Sequence, residues 1–318
     1  MAEYAVHVHR LGDPSSLDKA PFGFERFLFN EPIHLLSQPC AQAFIFQLLS
    51  VRKKVEARFS LFMQPDQAIS PCRAPFGSIE FNSRLENQHL DFFLDQIENF
   101  VLSKGLQQLS MKGYPFCYAP LQAQTLSQCL LRRGYLINHS ALNFHLPVTV
   151  LPFEWGLHHS EKRRLKKCIQ ANFQFQEEMQ PDWASVYAFV KASRLRRGYS
   201  LSLDWEDFRA LFSQFPNSYQ VFTVKEGENV AALTVTVRIN DHILYNFYPA
   251  DAANYQTFSP TVLLTKGLYD YCQRHGFSQL DLGTVPDEPV PNYGLMRFKK
   301  NLGAQPSLKL SFEKKFSK

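Results

Sequence analysis

The chain contains one pattern twice. Asn99 to Met111 reads NFVLSKGLQQLSM and Tyr271 to Leu282 reads YCQRHGFSQLDL. In both, an amphipathic helix ends on a basic stretch, a glycine follows (Gly105 or Gly276), and a strand begins. Glycine there supplies the left-handed residue that closes a helix. Downstream a second helix ends at Gly134 in LLRRGYL and at Gly303 in KKNLGAQ, so the two offsets between copies, 171 and 169, nearly agree. Such a chain must fold as two related units, each burying its own core.

The rest of each copy fits that division. In the first, Tyr4, Val6 and Val8 alternate as in a strand, and Phe44 to Val51 and Val55 to Met63 form a hairpin across Arg52-Lys53-Lys54. A helix follows with Leu90, Phe93, Leu94, Ile97 and Val101 on one face. The second opens with helices over Lys162 to Ala171 and Trp183 to Arg197. A meander follows through Tyr219 to Val224, Val230 to Ile239 and His242 to Tyr248, then a helix from Pro260 to His275 with Ser259 as its N-cap. Antiparallel strands, helix, strand, helix, strand, given twice, define an α/β chain of the α+β type, each half a mixed, mostly antiparallel sheet flanked by helices. The boundary is expected near Pro147 to Pro152, giving domains 1–150 and 151–318.

Charge and cysteine usage exclude several classes. Lys and Arg number 34 against 29 Asp and Glu, a net charge of +5, so any phosphate contact must be local rather than a property of the whole surface. No run approaches the roughly 20 apolar residues that span a bilayer. The opening MAEYAVHVHR has no charged segment leading into an apolar one, and a cytoplasmic protein is expected. Cys40, Cys72, Cys117, Cys129, Cys168 and Cys272 contain no C-x-x-C pair and read as reduced core residues. His158, His159 and Cys168 match no zinc spacing, so no metal site is expected.

The strings KRRLKKCIQANFQFQEE (Lys162 to Glu178), SRLRRGYSL (Ser193 to Leu201), YNFYPA (Tyr245 to Ala250), LDLGTV (Leu280 to Val285) and GLMRFKKNLGA (Gly294 to Ala304) all lie in the second half. Together with the duplication they resemble the FemABX-like branch of the GNAT acyltransferases, which carries two GNAT-like domains in tandem. The resemblance implies amide formation by transfer of an acyl or aminoacyl group from an activated donor to an amine-bearing small molecule or peptide. Acetyl-CoA-dependent members carry a glycine pair before the helix that follows the meander, where backbone amides approach a pyrophosphate. Here that junction reads DAANYQTFSPT. Aminoacyl-tRNA or an acyl carrier protein therefore stands beside acyl-CoA as co-substrate, with no tightly bound cofactor. The alternatives are a CoA-dependent N-acyltransferase with an atypical loop and a non-catalytic module that binds RNA or a nucleotide.

Acyl transfer to an amine needs a positioned carbonyl and donors for the oxyanion, not a protein nucleophile. In the resembled fold two neighbouring strands splay, so Tyr245, Phe247 and Tyr248 are expected along the donor, with Ser259 and Phe298 nearby. The Lys of the F-K motif is Lys299, which by resemblance lies beside the acyl donor; its plainer reading is a solvated helix lysine. Asp281, at a strand end, would orient or deprotonate the amine, or serve as a loop cap. Asp287 and Glu288 would meet an ammonium or simply be solvated. Arg163, Arg164, Lys167, Arg194 and Arg197 would contact phosphates or nucleic acid, or form wet helix faces. The first copy has no F-K motif and has Ser110 where the second has Asp281, so it is expected to be structural or to bind the acceptor.

Overall fold

Alternating apolar residues in the hairpin and a 3.6-residue apolar stripe in the following helix bring the first core together. The computed structural model describes residues 4–12, 20–40, 42–285 and 290–316. The first elements are β1 (Tyr4–Arg10), α1 (Pro32–Leu36), β2 (Ala43–Ser50), β3 (Val55–Met63), β4 (Ala68–Ser70), β5 (Glu80–Phe81), α2 (Asn87–Ser103), β6 (Gln108–Lys112), α3 (Pro120–Arg132) and β7 (Leu136–Pro147). Phe46, Leu48, Phe59 and Leu61 of the hairpin pack with Leu90, Phe93, Leu94 and Ile97 of α2 and with Leu126 and Leu130 of α3. Each such side chain contributes about 1.5–3 kcal/mol when fully buried.

The second set is α4 (His159–Gln170), β8 (Gln174–Glu178), α5 (Trp183–Arg196), α6 (Trp205–Gln214), β9 (Tyr219–Glu226), β10 (Asn229–Arg238), β11 (Ile243–Asn246), β12 (Ala250–Asp251), α7 (Pro260–His275), β13 (Gln279–Thr284), α8 (Tyr293–Asn301) and β14 (Gln305–Lys315). Helix α7 buries Val262, Leu264, Leu268 and Cys272. The meander and both opening helices stand where the sequence put them; α6 and β8 were not anticipated.

The duplication is visible atom by atom at the four helix ends. Gly105, Gly134, Gly276 and Gly303 all have positive φ, between 74° and 85°. The residue after each glycine reaches back to the same relative carbonyl: Leu106 N to Val101 O at 3.2 Å, Tyr135 N to Leu130 O at 3.0 Å, Phe277 N to Cys272 O at 3.0 Å and Ala304 N to Lys299 O at 3.1 Å. The same closing motif also ends α5 at Gly198, where Tyr199 N reaches Arg194 O at 3.0 Å, and α4 at Asn172, where Phe173 N reaches Cys168 O at 3.1 Å.

Two compact units result, Met1–Leu142 with Ser307–Lys318, and Asn143–Pro306. In the first the strand order is β1-β2-β3-β4-β6-β14, and in the second β13-β11-β10-β9-β8, with β7 flanking β13. Strand β14 pairs antiparallel with β6, and the end of β7 pairs antiparallel with β13. Each sheet thus takes the strand that follows the other copy's last helix. That exchange sets the division inside β7, ahead of the 150/151 boundary the linker prolines suggest.

Two local expectations are corrected. Cys40 and Cys72 form a disulfide, leaving Cys117, Cys129, Cys168 and Cys272 as thiols. The turn after α1 and the turn after β4 meet there, and Arg73 N also donates to Gln38 Oε1 at 2.7 Å; no C-x-x-C spacing signals a pair joined across 32 residues. Ser259 precedes α7 but does not cap it: its backbone is left-handed (φ 56°), and its Oγ donates back to Gln256 O at 3.4 Å. The carboxylates Asp287 and Glu288 lie outside the described residues.

Candidate active site

Strands β11 and β13 run parallel through Ile243↔Gln279, Leu244↔Leu280 and Tyr245↔Asp281, and their pairing ends there. Beyond that point β11 stays with β10, while β13 stays with β7 through a register break between Asp281 and Thr284. The strands separate at their carboxyl ends, which opens a crevice. The bulge on the β10 side differs from the expected row of free donors. Phe247 N and Tyr248 N both donate to Val235 O at 3.0 Å, because the chain needs an extra residue before β12 rejoins β10.

The facing lip is built around Gly283. Its φ is 77°, which favours glycine, and a Cβ would lie a tight 3.3 Å from the Tyr245 ring. Asp281 holds this kink: its Oδ1 accepts from Gly283 N at 2.8 Å and from Asn143 Nδ2 at 2.7 Å. The carboxylate is buried, 1% exposed. On the adjoining strand His145 pairs across from Asp281. Burial lowers the His145 imidazole against the pull of that carboxylate.

Lys299 completes the lip from α8. It is 6% exposed, and its Nζ donates to Leu282 O at 2.8 Å, Gly283 O at 2.9 Å and Thr284 O at 3.1 Å. Three carbonyls take all three ammonium protons. Burial pushes the ammonium down to about 8, while Asp281 pulls it up. Lys299 is therefore not a solvated helix lysine; it is a buried cation that gathers three successive carbonyls of the strand end.

Tyr245, Phe247, Asp281 and Lys299 come together at this crevice. The Tyr245 and Phe247 rings lie 5.4 Å apart. Burial raises the Tyr245 phenol, and the Asp281 charge adds to it. Tyr248 instead turns to Ser202 Oγ, 2.7 Å from its hydroxyl, with the Arg194 guanidinium 5.7 Å from its ring. Phe298 is half-buried on α8. Ser259 belongs to the start of α7.

The basic residues divide by what they touch. Arg164 reaches the buried Glu161 at 2.9 Å, and Arg197 pairs with Asp251 beside Arg196. Arg194 Nε donates to Ser200 O at 3.1 Å. Lys167 Nζ donates to Thr257 O at 2.9 Å and lies 4.5 Å from the Phe258 ring, so it borders the segment leading into α7. Arg163 is exposed one turn away on the same face of α4. Asn143 and His145 were missed by sequence reasoning, and Gly283 was legible only as part of LDLGTV. The alternation Asn143-Phe144-His145-Leu146 placed both polar residues on one strand face, and nothing local named the strand opposite.

Among the described residues, no cluster of His, Cys, Asp and Glu is placed to hold a metal ion, and no helix is long and apolar enough to cross a membrane.

A parallel strand pair parting beside a bulged meander strand is the arrangement of the GNAT fold. Residues 159–300 match the family described as Acetyltransferase (GNAT) domain. The chain is similar in fold to FemX, with TM-score 0.65, 12% identity and coverage of 85% of this chain and 87% of that one. L-PGS from Bacillus licheniformis gives TM-score 0.54 at 11% identity, covering 85% and 84%. A tandem GNAT protein from the clavulanic acid biosynthesis pathway gives 0.55 at 11%, covering 99% of both chains. No curated protein matches by sequence. Residues 159–300 thus match a GNAT domain, and the chain as a whole shares the fold of these structures.

Proposed function

We propose that the second unit transfers an acyl or aminoacyl group from an activated donor to an amine, forming an amide. The single observation that carries this reading is the crevice between β11 and β13, whose lip is locked by Asp281 and Lys299. The donor carbonyl would lie alongside the Gly283 kink, against which the Tyr245 ring packs. The attacking nitrogen forms the new C–N bond, the ester C–O or thioester C–S bond breaks, and the nitrogen gives up a proton. In this reading Asp281 and Lys299 hold the lip in shape by spending their hydrogen bonds on the backbone, a preorganised arrangement that costs nothing to rebuild during the reaction. Arg163 and Lys167, on the face of α4 that borders the segment before α7, would meet the anionic part of the donor.

The donor is an aminoacyl-tRNA, an acyl carrier protein or an acyl-CoA, and the acceptor is an amine-bearing small molecule or peptide. The similarity in fold to FemX and L-PGS favours aminoacyl transfer, and the absence of a glycine pair in DAANYQTFSPT favours a donor other than CoA. We assign the activity to the cytoplasm, where such donors circulate. Purified protein incubated with labelled aminoacyl-tRNA, acyl carrier protein and acyl-CoA pools and a panel of amines should yield a labelled amide from one donor class. No product from any donor at high protein concentration would end this reading, and calorimetric binding of CoA with turnover would select the CoA-dependent form.

A further inference from the structure

Strand register puts the polar residues of the crevice on one face of the second unit's sheet. Val237, Tyr245, Asp281 and His145 are successive partners across β10, β11, β13 and β7, and directly paired residues point the same way. Tyr219, paired with Val237, marks this face as the one under α6, since its ring lies 5.0 Å from that of Phe212. The opposite face carries α7 and α8. Phe222 meets Tyr271 of α7 at 4.8 Å, and Lys299 of α8 lies 5.8 Å from the ring of Phe144, the neighbour of His145 that points the other way. Helix α4, with Arg163 and Lys167, packs against α7 and belongs to that side. A donor whose anionic part meets α4 therefore occupies one face, and the parted strands leave the other face for the amine.

On the amine's face Tyr245 is a phenol that burial keeps protonated. Asp281 spends Oδ1 on Gly283 N and Asn143 Nδ2. His145, half-buried, stands directly across from Asp281, with Cβ atoms roughly 4.5–5.5 Å apart in such a pair. We propose that His145 accepts the proton that the attacking amine releases, and that Asp281 beside it steadies the imidazolium so formed. The inference rests on the acyl-transfer reading and names its base. The amine nitrogen forms the C–N bond, the ester C–O or thioester C–S bond breaks with its electron pair on the departing atom, and the nitrogen's proton passes to the imidazole. The imidazolium then returns that proton to the departing oxygen or sulfur. A base must start unprotonated. Burial lowers the imidazole, against the pull of Asp281 on β13 and of the Gln305 backbone on β14, so it is neutral at pH 7. Lys299 lies behind the strand end, on the other face.

The test uses the intact chain with the labelled donor pools and amine panel named above. His145→Gln should lower kcat by roughly a hundredfold and leave KM for the amine and the urea midpoint close to wild type. The wild-type rate should fall as pH drops through the imidazole's titration, and that acid limb should vanish in His145→Gln. Added imidazole should restore part of the rate to His145→Ala, which a purely structural role would not allow. A productive wild type with an unchanged His145→Gln rate, a persisting acid limb, or no rescue by imidazole would each overturn this inference alone. No product from the wild type would end the acyl-transfer reading and this inference with it.

Discussion

In the first unit β4 meets β6 through Ala68↔Leu109, Ile69↔Ser110 and Ser70↔Met111; in the second β11 meets β13 through Ile243↔Gln279, Leu244↔Leu280 and Tyr245↔Asp281. The repeat offset sets Ser110 against Asp281, and their partners set Ile69 against Tyr245. Past this point the units differ. In the first, the chain fills its own gap: Gly77 N donates to Lys112 O at 2.9 Å, and Ser78 N donates to Ser70 Oγ at 3.1 Å. Gly77 also packs so tightly on Ser70 and Pro71 that it admits no side chain. In the second, a carboxylate, a left-handed glycine and a buried ammonium hold the lip, and the strand pairing ends at Tyr245↔Asp281. One scaffold thus yields a stitched pair and a parted pair, and a handful of polar residues separates them.

The largest effect should come from Lys299→Met. It leaves three carbonyls without their donor, which costs roughly 1–3 kcal/mol for each group that stays buried and unpaired. Transfer activity should fall at least a hundredfold, and the urea midpoint of the second unit should drop; an unchanged rate would remove Lys299 from the site. Gly283→Ala comes next. An alanine must adopt a φ of 77° and meet the Tyr245 ring. The expected cost is about 1–2 kcal/mol of stability, with a larger proportional loss of rate, read by chemical denaturation and steady-state kinetics.

The pH dependence sharpens the same contrast. Lys299 titrates near 8 in the fold against 10.5 in the open chain. Between these values the native state holds fewer protons than the unfolded state, so this group makes stability rise with pH across that window. Below about 8 both states are charged and its contribution is flat. Activity should move the other way, falling as pH rises through 8 and the ammonium loosens its three carbonyls. Urea midpoints and rates measured from pH 7 to 10 check both signs, and Lys299→Met should abolish the rise in stability.

The last comparison is a reciprocal exchange, whose first-unit half should have the smallest effect. Asp281→Ser, which copies the first unit, should lower activity strongly, because the Gly283 amide and the Asn143 side chain lose their acceptor. Ser110→Asp in the first unit should create no second active centre, because the Gly77 to Lys112 bond still closes that pair. A second centre detectable by donor binding would show that the carboxylate alone makes the difference.

The glycines that end four helices, the hydrophobic stripe of α2 and the alternation of the meander strands were all legible in the chain, because turn chemistry and periodicity are local properties. The LDLGTV and F-K strings, legible in the same way, supply the two sides of the Lys299 contact with the strand end. Lys299 was legible as important but not as buried: a lysine between Phe298 and Lys300 reads as surface, and only the kink at Gly283 supplies the three carbonyls that make its burial tolerable. Asn143 and His145 became part of the site because β7 pairs with β13, a partnership across more than a hundred residues that no periodicity encodes. The same holds for Cys40 and Cys72, joined by the meeting of two turns. Local sequence decided which elements form and where they stop. Which strand lies beside which, and therefore which polar groups share one small volume, was decided by packing, since hydrogen bonds between distant segments exist only once the cores have brought them together.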